Sequence, residues 1–218
     1  MNVDIIPEPE LEFGDGSHID IRFGIMRHKP FDYQDPRRPK DIKIGIVGTN
    51  ETIQSLSVWL EKIKDGVSAK TSRQPNLFPL FPGYGPDTPL PSPIVLSNQT
   101  RRSIRNNELE RIAKIPETNE GIREAVNIFI DEIDYLSQNS SVNVVMCALP
   151  DVLLDYMGQA KESKQATGGI DFRDLLKARA MALRAHTQVI LPSTYDETKR
   201  RQQSKRKTSI RKTQDEAT

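Results

Sequence analysis

The chain has 218 residues, 31 Lys and Arg against 30 Asp and Glu, a formal net charge of +1 and a single cysteine. That length fits one domain with tails, the lone Cys147 excludes an internal disulfide framework, and the balanced charge argues neither for nor against nucleic acid. With 36% hydrophobic and 28% charged residues and a mean hydropathy of -0.57, part of the chain is expected to be solvated, while the clustering of its apolar residues still predicts a core.

No basic segment followed by an apolar stretch opens the chain. No apolar run approaches the roughly 20 residues that a membrane-spanning helix needs, so a soluble, cytoplasmic protein is expected. Residues 1–40 read as an extended arm. Within FGDGSHIDIRFGIM a strand is expected over residues 19–25, followed by the Pro-rich, charged connector KPFDYQDPRRPK, whose prolines discourage a helix.

Residues 41–48 (DIKIGIVG) predict the first strand. Thr49 or Asn50 then caps a helix over residues 52–64, with Ile53, Leu56, Leu60 and Ile63 at helical spacing and Gly66 as its stop. Strand, tight turn and capped helix open an α/β unit. The proline-dense stretch 74–93 predicts an ordered loop whose Phe78, Phe81 and Tyr84 pack down on the domain. A second strand is expected over 92–97 and a helix over 106–115.

A longer helix is expected over 119–138, where Ile122, Val126, Phe129, Ile130, Ile133 and Leu136 form an apolar stripe. The continuous apolar run 142–149 reads as a third strand covered on both faces. Residues 150–170 read as a loop. Asp171 caps the next helix, with Asp174 three residues on in a capping-box-like arrangement, and a fourth strand follows over 187–191. The domain is thus placed at 41–192. Residues 193–218 are nearly devoid of apolar side chains and read as a polar, disordered tail.

The motifs narrow the chemistry. GIVGTNE, residues 45–51, lacks the third glycine of a dinucleotide fingerprint and the Lys-Ser/Thr of a P-loop, so it reads as a tight strand-to-helix turn. His18, His28 and His186 have no metal-ligand spacing, Cys147 reads as a buried thiol, and no nucleophile motif or marked carboxylate pair exists. No cofactor, metal or enzymatic activity is expected. The basic run 199–212, with eight Lys or Arg, is either a solvated charge run or a non-specific contact to a nucleic-acid backbone.

The most informative stretch is residues 171–190. Arg173 and Lys177 sit on one face in the first turns of its helix. That end of a helix has free N–H groups and a partial positive charge, so cations there are disfavoured by about 0.3–1 kcal/mol each. Two of them make sense around an anion. Gln188, just past the turn, can donate an amide hydrogen to the same anion. A phosphate pocket is therefore expected, against the plainer alternative of solvated charges on an amphipathic helix.

At this point the chain resembles a known family. PELEFGDGSHIDIRFGIM, IKIGIVGTNETI, RQPNLFPLFPGYG and DLLKARAMALRAHTQVILPST, in that order, are similar to the middle (MID) domain of short prokaryotic Argonaute proteins, over most of residues 9–195. The resemblance implies a Rossmann-like α/β domain with a small, mainly parallel sheet flanked by helices. It implies that the domain anchors the 5′-phosphate of a guide strand, RNA or DNA. It puts the pocket on Arg173, Lys177 and Gln188, the arginine standing where the family often has an aromatic ring. The loop 150–170 matches the one that contacts the first guide base, with Lys161 and Lys164 as candidates.

In the family a PIWI domain follows and a further pocket lysine lies beyond the last MID strand, so the chain is expected to be a fragment with no nuclease site of its own. The resemblance further implies an APAZ-containing effector partner, carrying a nuclease, sirtuin-like or TIR domain, and a role in defence against plasmids or phages. Two rivals remain: a protein-interaction scaffold with a vestigial pocket, and a small-molecule-binding α/β domain with its ligand near Gly48.

Overall fold

A computed structural model describes residues 8–163, 169–196 and 198–199, with the backbone alone for 159–163. The chain divides into two compact units, Met1–Ile42 with Leu60–Val95, and Lys43–Trp59 with Leu96–Thr218. Residues 60–95, inside the expected 41–192 domain, therefore group with the N-terminal arm.

In the first unit, β1 (Leu11–Glu12) and β2 (Ser17–His18) form a two-stranded antiparallel ribbon. The strand expected over 19–25 is instead the helix α1 (Ile21–His28). The alternating pattern lost to a cap: the Asp20 carboxylate accepts the N–H groups of Arg22 at 2.8 Å and Phe23 at 3.3 Å, satisfying donors that a helix start otherwise leaves open. The Phe13 ring then seats on Gly24, where a Cβ would lie 2.1 Å from Cζ. The proline-dense loop is ordered, with a 3₁₀ turn at Pro75–Leu77. Tyr84 is buried and its hydroxyl donates to the Leu60 carbonyl at 2.7 Å, whereas Phe78 is exposed.

The second unit holds a four-stranded sheet. Its elements are β3 (Ile42–Gly48), α2 (Asn50–Ile63), β4 (Ile94–Ser103), α3 (Asn106–Ile112), α4 (Thr118–Asn139), β5 (Val144–Ala148), α5 (Asp151–Ser163), α6 (Phe172–Ala182), β6 (Thr187–Ile190) and α7 (Pro192–Tyr195). β3, α2 and β4 each extend into the first unit. The strand order is β4-β3-β5-β6. β5 runs parallel to β3, from Ile44↔Val144 to Gly48↔Ala148, and parallel to β6, from Val145↔Thr187 to Ala148↔Ile190. β4 lies alongside β3 in the same direction, bonded at Ile42–Pro93 and again at Gly48–Ile104. This is the expected Rossmann-like α/β architecture. The chain reverses its direction of travel across the sheet between β3 and β5, which makes that gap the topological switch point.

The core of this unit forms where the α4 stripe meets the sheet. Val126, Phe129, Ile133 and Leu136 are fully buried with Val145 and Cys147 of β5, Leu176 and Ala180 of α6, and Val189 of β6. Burial pushes the Cys147 thiol up to about 12, so it stays protonated, as a structural thiol does.

Two expectations on this unit are corrected. The stretch 150–170 is not all loop: α5 occupies Asp151–Ser163. Val152, Leu153, Tyr156 and Met157 have helical spacing, and Leu153 is buried against the core; Gly158 and the polar second half hide that pattern in the sequence. The tail expected from 193 is structured at its start. α7 covers Pro192–Tyr195, and Asp196 then accepts from the Thr198 N–H at 2.9 Å and the Lys199 N–H at 3.3 Å. The rest of the basic run lies outside the described residues. Among those described, no helix is long and apolar enough to cross a membrane.

Candidate functional site

Three local devices build one cavity in the second unit. The first is the start of α4, where the Glu117 carboxylate accepts the N–H groups of Asn119 and Glu120. The second is the seat of α5 on α4. The Tyr156 hydroxyl donates to the Ile115 carbonyl at 3.0 Å and lies 3.4 Å from that of Glu117, and it rests on Gly121, the one small residue that lets the ring approach. The third is the start of α6, where buried Phe172 meets the edge of the Phe129 ring with centroids 5.5 Å apart, an arrangement worth about 0.5–1.5 kcal/mol beyond its burial.

Between them opens a cavity of about 580 Å³, lined by Thr118, Asn119 and Ile122 of α4, Leu154, Met157 and Gly158 of α5, Phe172 and Arg173 of α6, and Leu149, Val189 and Leu191 at the carboxyl ends of β5 and β6. Its volume is in the range of small-molecule and cofactor sites, and its walls are mainly apolar with a few polar groups.

The structure places the expected site residues unevenly. Arg173 lines the cavity, together with Asp171 and Asp174. Lys177, one turn further along the same face of α6, is exposed and outside the lining. Among the described residues neither the Arg173 guanidinium nor the Lys177 ammonium has a hydrogen-bond or ion-pair partner. Gln188 is not gathered into the cavity. Neighbouring side chains alternate across a strand, and it is Val189 that faces the cavity, while Gln188 is exposed and its amide donates to the Val189 carbonyl at 3.3 Å. Lys164 lies outside the described residues, and so does the Lys161 side chain.

One part of the expected mechanism is corrected. Free backbone N–H groups were expected to serve an anion at the α6 N-terminus. The Asp171 carboxylate already accepts from Arg173 N at 2.8 Å and Asp174 N at 3.3 Å, and the Leu175 N–H bonds the Asp171 carbonyl at 3.0 Å. The cap that makes the helix legible also takes the donors. An anion beside α6 would be held by side-chain cations.

Thr118 and Asn119 were missed in the sequence, because they sit inside an ordinary helix start and only the fold brings that start to α6. Asn119 Oδ1 accepts the Ile170 N–H at 3.1 Å, tying the approach to α6 to the first turn of α4.

The switch point itself is filled. At Gly48 a Cβ would lie 2.5 Å from Thr52 Oγ1 and 2.7 Å from the Ala148 carbonyl, so this glycine serves close packing. The Thr49 N–H and the Ala148 carbonyl are both taken by the buried Thr52 hydroxyl. Across the ends of β3 and β5 lie Tyr195, whose hydroxyl is 3.5 Å from the Leu149 carbonyl, and Lys199, bonded to Asp151. Burial, then the carboxylates of Asp151, Asp196 and Glu51, hold the Tyr195 hydroxyl well above its ordinary pKa. Burial works against the Lys199 charge, but the carboxylates of Asp151, Asp196 and Glu51 together outweigh it and raise the ammonium above its usual range. This leaves no cradle for a small-molecule phosphate at Gly48. Among the described residues no group of His, Cys, Asp or Glu is placed to hold a metal ion. No protein-family model matches the chain, and no curated protein matches it significantly.

Proposed function

We propose that the second unit anchors the 5′-phosphorylated end of a guide strand, RNA or DNA, as the MID module of a short prokaryotic Argonaute. The observation that carries the reading is a pair of cations, Arg173 and Lys177, uncommitted to any described partner, on one face of α6 beside a cavity of about 580 Å³. Lys177 supplies charge to the terminal phosphate. Arg173, at the cavity wall, pairs with the phosphate or stacks its planar guanidinium on the first base, and the apolar cavity receives that nucleoside. Gln188 approaches from the strand edge outside the cavity. Charge-assisted bonds of this kind are about twice as strong as neutral ones. They set register and affinity, while base pairing along the guide supplies sequence recognition. The effector partner with an APAZ region, the role in defence and a cytoplasmic location belong to the same proposal.

The test compares one oligonucleotide with a 5′-phosphate and with a 5′-hydroxyl. Losing a hydrogen bond to a charged group costs about 1.5–3 kcal/mol, so Lys177→Ala is expected to erase a phosphate preference of roughly ten- to hundredfold. Equal binding of both ends by the unsubstituted protein refutes the reading. A scaffold role has its own support in the first unit, where Ile19, Ile21, Phe31 and Leu77 are each more than half exposed. In that case partner capture is unchanged when Arg173 and Lys177 are both replaced by alanine.

A further inference from the structure

We infer that Asn119 is a specificity-determining residue of the cavity, selecting a terminal base with an oxygen at the pyrimidine 4- or purine 6-position (uracil, thymine or guanine) over one with an amino group there (cytosine or adenine). The inference rests on the guide-end reading above and deepens it.

The argument starts from an atom assignment that the fold settles. An asparagine amide can be turned either way, and its oxygen and nitrogen are told apart by their partners. Here the partner is the backbone N–H of Ile170, 3.1 Å away. An N–H only donates, so the atom facing it is the oxygen. The Asn119 carbonyl is thereby committed, and its NH₂ group, with no hydrogen-bond partner among the described residues, is left as a donor only. Asn119 lines the cavity together with Thr118 and with Phe172 and Arg173 of α6. Both ends of its one bond belong to the cavity wall, Ile170 being a lining residue as well. The amide is thus held by the same segment that carries the chain into the Asp171 cap.

A donor-only amide discriminates between base edges. Asparagine with both ends free reads adenine, by accepting from its amino group while donating to its ring nitrogen. With the oxygen occupied that mode is lost. With the pyrimidine 4- or purine 6-position set against the amide, uracil and thymine O4 and guanine O6 accept from the NH₂ group, whereas the amino groups of cytosine and adenine at that position oppose it donor to donor. Thr118 adds no bias, since a hydroxyl both donates and accepts.

The test uses four 5′-phosphorylated oligonucleotides identical but for the terminal base, each with its 5′-hydroxyl twin, and reads affinity by fluorescence anisotropy. The unsubstituted protein is expected to bind the uracil or thymine and guanine ends roughly tenfold more tightly than the cytosine and adenine ends, about the discrimination of one directional base contact. Asn119→Asp keeps an oxygen for Ile170 and turns the second donor position into an acceptor, so it is expected to reverse the order. A carboxylate in the first turn of α4 also suits the helix dipole, so this variant keeps the fold. Its added charge weakens all four ligands alike, which leaves the ratio between them as the readout. Asn119→Leu is expected to level the four. A phosphate-dependent affinity with no difference between the base classes, or an unchanged order in Asn119→Asp, overturns the role of Asn119 and leaves the guide-end reading standing. Indifference to the phosphate overturns both.

Discussion

Gly121→Ala tests whether the α4–α5 seat that shapes the cavity is as tight as the geometry says. Gly121 lies in the second turn of α4, where alanine is the better helix former by about 0.8–1 kcal/mol. On propensity alone the substitution stabilises. The added methyl, however, would lie 2.1 Å from the Tyr156 hydroxyl, 2.7 Å from Cζ and 2.8 Å from Cε1. These atoms belong to a rigid ring whose hydroxyl is bonded to the Ile115 carbonyl. The ring must withdraw by about an ångström and give up that bond. Overpacking of this kind costs about 1–3 kcal/mol and a lost hydrogen bond about 1 kcal/mol. After the propensity gain, Gly121→Ala is expected to destabilise by about 1–3 kcal/mol, a fall in Tm of roughly 3–10 °C for a chain of this size. Urea and thermal denaturation followed by far-ultraviolet circular dichroism measure it, with Trp59 fluorescence as a second probe. The decisive comparison is made in a Tyr156→Ala background. There those three contacts are gone, and Gly121→Ala is expected to turn stabilising by up to about 1 kcal/mol. A variant as stable as the unsubstituted protein with Tyr156 present refutes the reasoning, because it would mean that α5 is free to shift.

Two predictions concern other parts of the chain. Cys147 is fully buried and its thiol is pushed up to about 12, so it is expected to resist iodoacetamide at pH 8 in the native protein and to react in denaturant. Rapid labelling of the native chain would show that β5 is not covered as described. Asp20, which caps α1, has its carboxyl held well below the ordinary value, chiefly by the Arg22 guanidinium and with backbone N–H groups adding to it. A depressed folded-state pKa means that its contribution is present above the unfolded value of about 3.9 and fades as the pH falls through it toward the folded one. Order in α1, followed by amide resonances, is therefore expected to decline on acidification below about pH 4, and Asp20→Asn, which keeps the cap without the charge, is expected to flatten that decline.

Where one periodicity dominated, the elements of the fold were legible in the sequence. The stripe from Ile122 to Leu136 specifies α4, and the apolar runs around Val47 and Val145 specify the central strands. Among the elements that were not legible, two failed for different reasons. At residues 19–25 the alternation of apolar and polar side chains mimics a strand, and what overrides it is a single cap, Asp20, together with the fit of Phe13 on Gly24. At α5 the helical pattern covers only the first half, and its stability comes from docking on α4 through Tyr156, a partnership that no local window contains. The site shows the same division. Arg173 and Lys177 were visible because they sit against the helix dipole. Asn119 was invisible, because its meaning comes from a segment fifty residues away. Gln188 was visible by its position after the turn, and the strand's alternation then set it apart from the cavity.

The Asp171 cap decides what kind of site α6 can offer. A helix N-terminus with open N–H groups binds anions through fixed dipoles, but here Asp171 takes two of those donors and its carboxylate offsets the positive end of the dipole. That carboxylate eases the cost of Arg173 at this end, and Lys177, in the second turn of α6, lies beyond most of the dipole's reach. Asp174, three residues before Lys177 and well placed for an i,i+3 pair, forms none with it. Elsewhere in this unit cations with a structural task have partners: Arg102 meets Glu132 at 2.5 Å, Arg111 meets Glu124 at 3.0 Å, and Lys199 bonds Asp151. Two cations next to a cavity and short of a nearby carboxylate, with no partner among the described residues, add nothing visible to stability. They become an asset once a multiply charged group arrives to bridge them. A phosphate of charge about −1.5 to −2, with several acceptor oxygens, meets that requirement; a single carboxylate, of which the helix already has two, does not.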